Sequence, residues 1–216
     1  AADGRVWCFG SNASGELALG TSSLLVATPT PVPALTGVSR LALGAQHLCA
    51  LFPDGTVSCS GSNGTGQLGH EGAASSPILT KVAGLDHVAD VQAVGNHTCV
   101  RRDDGEVRCW GMRFRDPDGP YAGKGKDWFD GPQPVTDKAI SLAIGRAHAC
   151  LVREGGEVFC WGDNQDGSCG APIGGEVATP RLVTGIHDAV EVFAGEHATC
   201  ARTKGLELWC WGGGNA

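Results

Sequence analysis

Nine of the ten cysteines fall into two series that repeat every 50 or 51 residues, and this rhythm constrains the fold more than any other feature. Cys49, Cys99, Cys150 and Cys200 open the frames "CALFPDGTVSC", "CVRRDDGEVRC", "CLVREGGEVFC" and "CARTKGLELWC". Cys59, Cys109, Cys160 and Cys210 close them, and Cys8 starts this second series one period earlier. Two residues after each member of the second series stands a glycine: Gly10, Gly61, Gly111, Gly162 and Gly212. A proline-led segment then ends in Val32, Val82, Val135 or Val183, followed by alternating runs such as "VSRLALG" and "VEVFAG" that read as half-buried strands. One period is thus four short strands: the apolar run, two cysteine-bearing strands and the Pro–Val strand. A four-stranded unit of this length, repeated, predicts an all-β chain of β-propeller blades, because solenoid rungs are shorter. The propeller segment covers 1–216, with units near 1–48, 49–98, 99–149 and 150–199 and a partial one at 200–216.

The stretches "HLCALFPDGTVSCSGSNGTGQLG" and "HACLVREGGEVFCWGDNQDGSCG" resemble the regulator of chromosome condensation repeat, in the cysteine-paired form of many secreted bacterial proteins. The resemblance covers essentially the whole chain. It implies seven-bladed rings, in a family that includes a GTPase exchange factor, a plant ultraviolet photoreceptor and β-lactamase inhibitors. It does not transfer those activities, since one propeller scaffold hosts unrelated functions. The photoreceptor's tryptophan-containing recognition motif is absent from this sequence.

The spacing of the paired cysteines has a geometric reading. "FPDG" at 52–55 offers Pro, Asp and Gly in the order of a type I turn followed by a left-handed glycine. That is the three-residue hairpin loop with a bulge. Pairing Phe52 with Thr56 puts Cys49 opposite Cys59 at a non-hydrogen-bonded pair, where side chains approach most closely. The same reasoning predicts Cys99–Cys109, Cys150–Cys160 and Cys200–Cys210 as staples. In the fourth frame Gly205 sits one position early, with Leu206 where glycine is wanted, so that hairpin is expected to turn differently. Cys169 stands where its equivalents are Leu17 and Leu68 and reads as a small core hydrophobe.

Metal and redox chemistry fare worse. His47, His97 and His148 precede a cysteine by two residues, but "HATC" shifts His197 by one and no fourth ligand recurs. Packing and hydrogen bonding to a neighbouring strand or blade is the expected role of these histidines, as packing between blades is for Trp110, Trp161 and Trp211. No CxxC pair is present. No acid–base or nucleophile constellation stands out either, so no cofactor and no catalytic residue is assigned. "DNQDG" at 163–167 lacks the alternating ligands of a calcium loop and matches the polar loops "SNASG" and "SNGTG". Asn12, Asn63 and Asn96 fit the glycosylation pattern, which matters only in a eukaryotic secretory pathway.

Ten regularly spaced cysteines fit an oxidising compartment, so the chain is expected to be extracellular, surface-exposed or periplasmic. The net charge of −7, without blocks of like charge, argues against nucleic acid and anionic membranes as partners. No apolar run is long enough to span a membrane and no signal peptide is visible.

One segment breaks the repeat. Residues 112–132, "MRFRDPDGPYAGKGKDWFDGP", stretch the interval from Cys109 to Val135 to 26 residues, against 24, 23 and 23 elsewhere. Arg113, Phe114, Arg115, Tyr121, Lys124, Trp128 and Phe129 give it the composition of an interaction hot spot, with a blade cap as the plain alternative. The reading is therefore a binding or structural module for a protein partner. A carbohydrate-binding or adhesive module is the alternative, and an enzyme with a site at the propeller channel comes third. Seven blades would need roughly 350 residues at this period. The missing blades are therefore expected from unseen sequence or another copy of the chain, with Cys8 bonded to a cysteine there.

Overall fold

The structure, a computed structural model, describes residues 4–112, 133–136 and 138–213. The strands gather into antiparallel sheets whose order follows the chain. One sheet holds β3 (Arg40–Leu43), β4 (His47–Leu51), β5 (Val57–Ser62) and β6 (Ser75–Lys81). The next holds β7 (Val88–Val94), β8 (His97–Arg102), β9 (Val107–Gly111) and β10 (Gln133–Thr136). A third is β11 (Ala139–Ile144), β12 (His148–Arg153), β13 (Val158–Asp163) and β14 (Glu176–Leu182). β15 (Ala189–Ala194), β16 (Ala198–Thr203) and β17 (Leu208–Gly212) form a three-stranded sheet, and β1 (Trp7–Asn12) pairs with β2 (Ser23–Pro31) alone. The four-stranded sheets have the strand order that the sequence implied.

Two compact units contain these sheets. The first is built on residues up to 103 together with 108–112, the second on residues 104–107 and those from 138 onward. In each, the core lies between successive sheets. In the first unit Cys49, Cys59, Leu68, Val82, Val91, Val100 and Trp110 close one such layer. Val32, Leu35 and Leu48 close another, with Cys8 packed half-buried against it. In the second unit Cys150, Cys160, Val158, Val183, Ile186 and Val192 play the same part. Cys169 joins them at 1% exposure, and burial pushes its thiol pKa up to about 12, as befits an inert core residue.

The hairpins have the register derived from "FPDG". Leu51 faces Val57, Ala50 faces Ser58 and Cys49 faces Cys59. The Phe52 amide donates to Thr56 O at 2.9 Å, the Gly55 amide donates to Phe52 O, and Gly55 is left-handed at φ 77°. Cys49–Cys59, Cys99–Cys109, Cys150–Cys160 and Cys200–Cys210 are each bonded, with Cα atoms 4.1 Å apart. Each closes a short loop, contributing about 2.5–3 kcal/mol in the chain-entropy picture.

The fourth hairpin corrects an expectation. It does not turn differently: Thr203 N donates to Glu207 O and Leu206 N to Thr203 O, the bonds of the other hairpins. Leu206 takes the left-handed conformation itself, at φ 64°, with its side chain exposed. The strand pairing on either side, with Cys200 opposite Cys210, fixes the loop length and overrides the local preference of leucine.

The glycine two residues after Cys59 and Cys160 marks a bulge, where the register shifts between Cys59 and Gly61 and between Cys160 and Gly162. These glycines have φ near 110°, and a Cβ on either would collide with a backbone carbonyl, Gln46 O or Ala147 O. The next residue's amide donates to that same carbonyl, Ser62 to Gln46 at 2.7 Å and Asp163 to Ala147 at 2.8 Å.

Two substitutions test this backbone reading by thermal or denaturant unfolding. Gly162→Ala should destabilise by roughly 2 kcal/mol or more, through strain and collision together. Leu206→Gly should stabilise by about 1 kcal/mol, because the left-handed penalty of a side chain disappears. The opposite sign at either position would contradict the turn geometry.

Candidate interaction site

The seam between neighbouring sheets is held by a hydrogen-bond chain that recurs in both units. In the first, the His47 ring Nε2 lies 2.8 Å from Thr98 Oγ1, 51 residues away on the next sheet. The Thr98 hydroxyl donates to Gln67 O at 3.0 Å, and the Trp110 indole N–H donates to the same carbonyl at 2.9 Å. In the second unit His148 Nε2 lies 2.8 Å from Thr199 Oγ1. The Thr199 hydroxyl and the Trp211 indole both donate to Ser168 O, at 2.9 and 2.8 Å. Because the threonine's single proton goes to the carbonyl, the histidine must supply the other one. Nε2 therefore carries the hydrogen and Nδ1 the lone pair. Nδ1 of His47 is buried and has no partner among the described residues, so a second proton there would sit unsatisfied.

Burial accordingly lowers the pKa of His47, His97 and His148 to about 4. The neighbouring His97 lowers that of His47 further, while a hydrogen bond to the Met112 backbone partly opposes the shift at His97. Asp163 opposes it at His148, and His197 reinforces it. Packing and hydrogen bonding to the neighbouring sheet is thus the observed role of His47 and His148.

The carbonyl at each seam is presented by an asparagine-anchored loop. Asn63 Oδ1 accepts from Leu68 N at 3.1 Å, and its Nδ2 donates to His70 O. Asn164 does the same for Cys169 N and Pro172 O, and Asn12 for Leu17 N and Thr21 O. Asn12 and Asn63 are 0% exposed. Their amide nitrogens are spent on the fold, so the glycosylation pattern at these two sites marks loop anchors.

Beside the second seam opens a cleft of about 360 Å³, lined by Arg146, His148, Asp163, Asp166, Glu196 and His197 among others. Arg146 pairs with Glu196 at 2.8 Å across the two sheets. His197 Nδ1 lies 2.7 Å from Asp166 Oδ2, and its Nε2 3.6 Å from Glu196 Oε1. Carboxylates outnumber the fixed cation three to one here. Of these residues the sequence reading weighed His148 and His197 as metal ligands and Asp163 and Asp166 within "DNQDG", and it passed over Arg146 and Glu196. Comparing the repeats position by position would have shown them, since Ala45, Ser62, Thr65, Gly95 and Asn96 stand at the places of Arg146, Asp163, Asp166, Glu196 and His197. The residues that the sequence did single out, Arg113, Phe114, Arg115, Tyr121, Lys124, Trp128 and Phe129, lie outside the described residues.

Known proteins agree with this architecture. Two profiles of the regulator of chromosome condensation (RCC1) repeat match, one at residues 38–67, 88–112 and 139–168, the other at 3–51 and 155–202. The chain belongs to the RCC1 repeat family. The human E3 ubiquitin-protein ligase HERC2 is 27% identical over 98% of this chain, which spans 5% of the ligase. The Arabidopsis thaliana ultraviolet-B receptor UVR8 is 32% identical over 81% of the chain, spanning 41% of the receptor. The crystal structure of Prp20p from Saccharomyces cerevisiae superposes with a TM-score of 0.81 at 26% identity, covering 96% of this chain and 53% of that one. The fold is therefore an RCC1-type β-propeller with about four blades, and the chain spans about half or less of each of these relatives.

In RCC1-repeat terms, the histidine–threonine–carbonyl–tryptophan chain is an inter-blade latch that requires neutral imidazole. Each histidine's folded pKa lies below its unfolded value near 6.5, so its contribution is full above that pH. It is lost as pH falls toward about 4, and amounts to roughly 3 kcal/mol per residue across that window. Denaturant midpoints should fall steeply between pH 6.5 and 4 and depend little on pH just above. Thr98→Val and Thr199→Val should each destabilise by about 1–3 kcal/mol at neutral pH, leaving a buried imidazole N–H unpaired. A flat acid limb, or neutral valine variants, would contradict the latch.

Proposed function

We propose that this chain is a secreted or cell-surface module for protein–protein interaction and blade scaffolding, with no catalytic activity of its own. The observation that carries the reading is one ten-residue disulfide in each of four repeats. Cytosolic thiol buffers keep such pairs reduced, whereas an oxidising compartment maintains them. The interaction role draws support from the family: the Prp20p structure is described together with that protein's binding to Gsp1p and histones. Partner binding by a rigid propeller with variable loops is the corresponding expectation here.

The contact on this reading is residues 113–129, anchored by Arg113, Phe114 and Trp128, where aromatic and guanidinium groups concentrate. The charge of −7 disfavours a nucleic-acid partner. Further blades complete the ring, from additional sequence or a second copy. The two-stranded β1–β2 sheet and the three-stranded β15–β17 sheet leave room for added strands. Cys8 is a free thiol at the position where every other member of its series is bonded, and its partner would come with those strands.

Two measurements test the proposal. Non-reducing peptide mapping of native protein should find the four pairs oxidised, and reduced pairs would contradict the compartment. Replacing Arg113, Phe114 and Trp128 together by alanine should weaken a partner captured on the intact protein by at least about 2 kcal/mol, about thirtyfold. Unchanged affinity would return the segment to a blade-capping role.

A further inference from the structure

The cleft at the second seam has charges that the latch itself does not need. The first seam builds the same hydrogen-bond chain with Ala45, Ser62, Thr65, Gly95 and Asn96 at the corresponding positions. In the second seam these become Arg146, Asp163, Asp166, Glu196 and His197. Only part of the carboxylate capacity is used inside the protein. Asp163 Oδ1 accepts from Gln165 N at 2.9 Å, Asp166 Oδ2 faces His197, and Glu196 Oε1 faces both Arg146 and His197. The second oxygen of each carboxylate has no protein partner among the described residues.

His148 supplies the second observation. It lines the cleft although it is only 1% exposed, and its Nε2 is committed to Thr199. Its Nδ1 has no hydrogen bond among the described residues. That atom is an acceptor, because burial keeps the imidazole neutral. An unpartnered acceptor on a residue that lines the cleft and three unspent carboxylate oxygens around it suit a cation rich in hydrogen-bond donors. A bare metal ion does not suit them, since no group of His, Cys, Asp and Glu among the described residues is spaced to hold one. Several separate acceptors suit a planar fork of five N–H donors better than a point charge. His197 lies between Asp166 and Glu196, with Nδ1 2.7 Å from the first and Nε2 3.6 Å from the second, so the two carboxylates converge on one point. The volume lies at the lower end of the range for small-ligand sites, adequate for one side chain.

We propose that this cleft binds an arginine side chain of a protein partner, its guanidinium donating to the unspent oxygens of Asp163, Asp166 and Glu196. The occupant enters between two blades, and Arg146, already paired with Glu196, is a resident competitor at the rim. This site is separate from the contact assigned to residues 113–129, so either can fail alone.

The test is a titration of the intact protein with Nα-acetyl-arginine methylamide, following the ring resonances of His148 and His197 by NMR. Saturable shifts with a dissociation constant of about 1–10 mM are expected, as for a single anchored side chain. The citrulline counterpart, isosteric but uncharged, should give none. Asp166→Asn with Glu196→Gln should weaken binding at least about tenfold, whereas Arg146→Gln should tighten it about threefold by releasing Glu196. The opposite signs separate recognition from loss of folding, which would weaken both. No saturable shift up to about 50 mM, equal shifts with citrulline, or weaker binding by the Arg146 variant would overturn the assignment.

Discussion

One seam in each unit turns on a single backbone carbonyl that receives two donors from the neighbouring sheet. Gln67 O takes the Thr98 hydroxyl and the Trp110 indole, and Ser168 O takes the same pair from Thr199 and Trp211. Two donors on one acceptor fix both distance and angle, which apolar packing between flat sheets does not. Much of the local structure presents that carbonyl or its donors. The buried asparagine holds the loop that carries it, and the bulged glycine lets the third strand approach the turn between the first two strands of its own sheet. The histidine behind the threonine keeps the hydroxyl pointed at its target by donating to its oxygen.

The disulfides work at a different level. They lie within hairpins, so each stiffens one blade, and the joining of blades is left to the latch and the apolar layer around it. In a repeat protein, stability divides into intrinsic unit terms and nearest-neighbour interface terms. Here the unit term rests substantially on oxidised cysteines and the interface term on a neutral histidine. Reduction and acidification would therefore loosen the molecule at different places. Oxidising conditions maintain the unit term, and a pH above about 6.5 maintains the interface term.

The blade was legible in the sequence because its signals are local. A type I turn with glycine at the bulge fixes a hairpin register, and register parity then places Cys49 opposite Cys59. Position within the period likewise identified Cys169 as a core residue. The fourth turn was misread, because pairing along β16 and β17 decides the loop and Leu206 yields to it. Thr98 and Thr199 were passed over for another reason. Their positions hold Leu48 and Ala149 in the alternate repeats, so no periodic signal marks them. The same holds for Asp163, Asp166 and Glu196, whose meaning comes from departure from the repeat. A period reports what all copies share, and a binding site is what one copy does differently.

The latch stands or falls on where the histidine protons are. Long-range ¹H–¹⁵N correlation spectra of the ring nitrogens of His47 and His148, recorded from pH 7 down to pH 5, observe this directly. The account predicts that both remain neutral with the proton on Nε2 throughout, because their pKa values lie at about 4. Imidazolium signals already at pH 6, or a proton on Nδ1 at neutral pH, would contradict it.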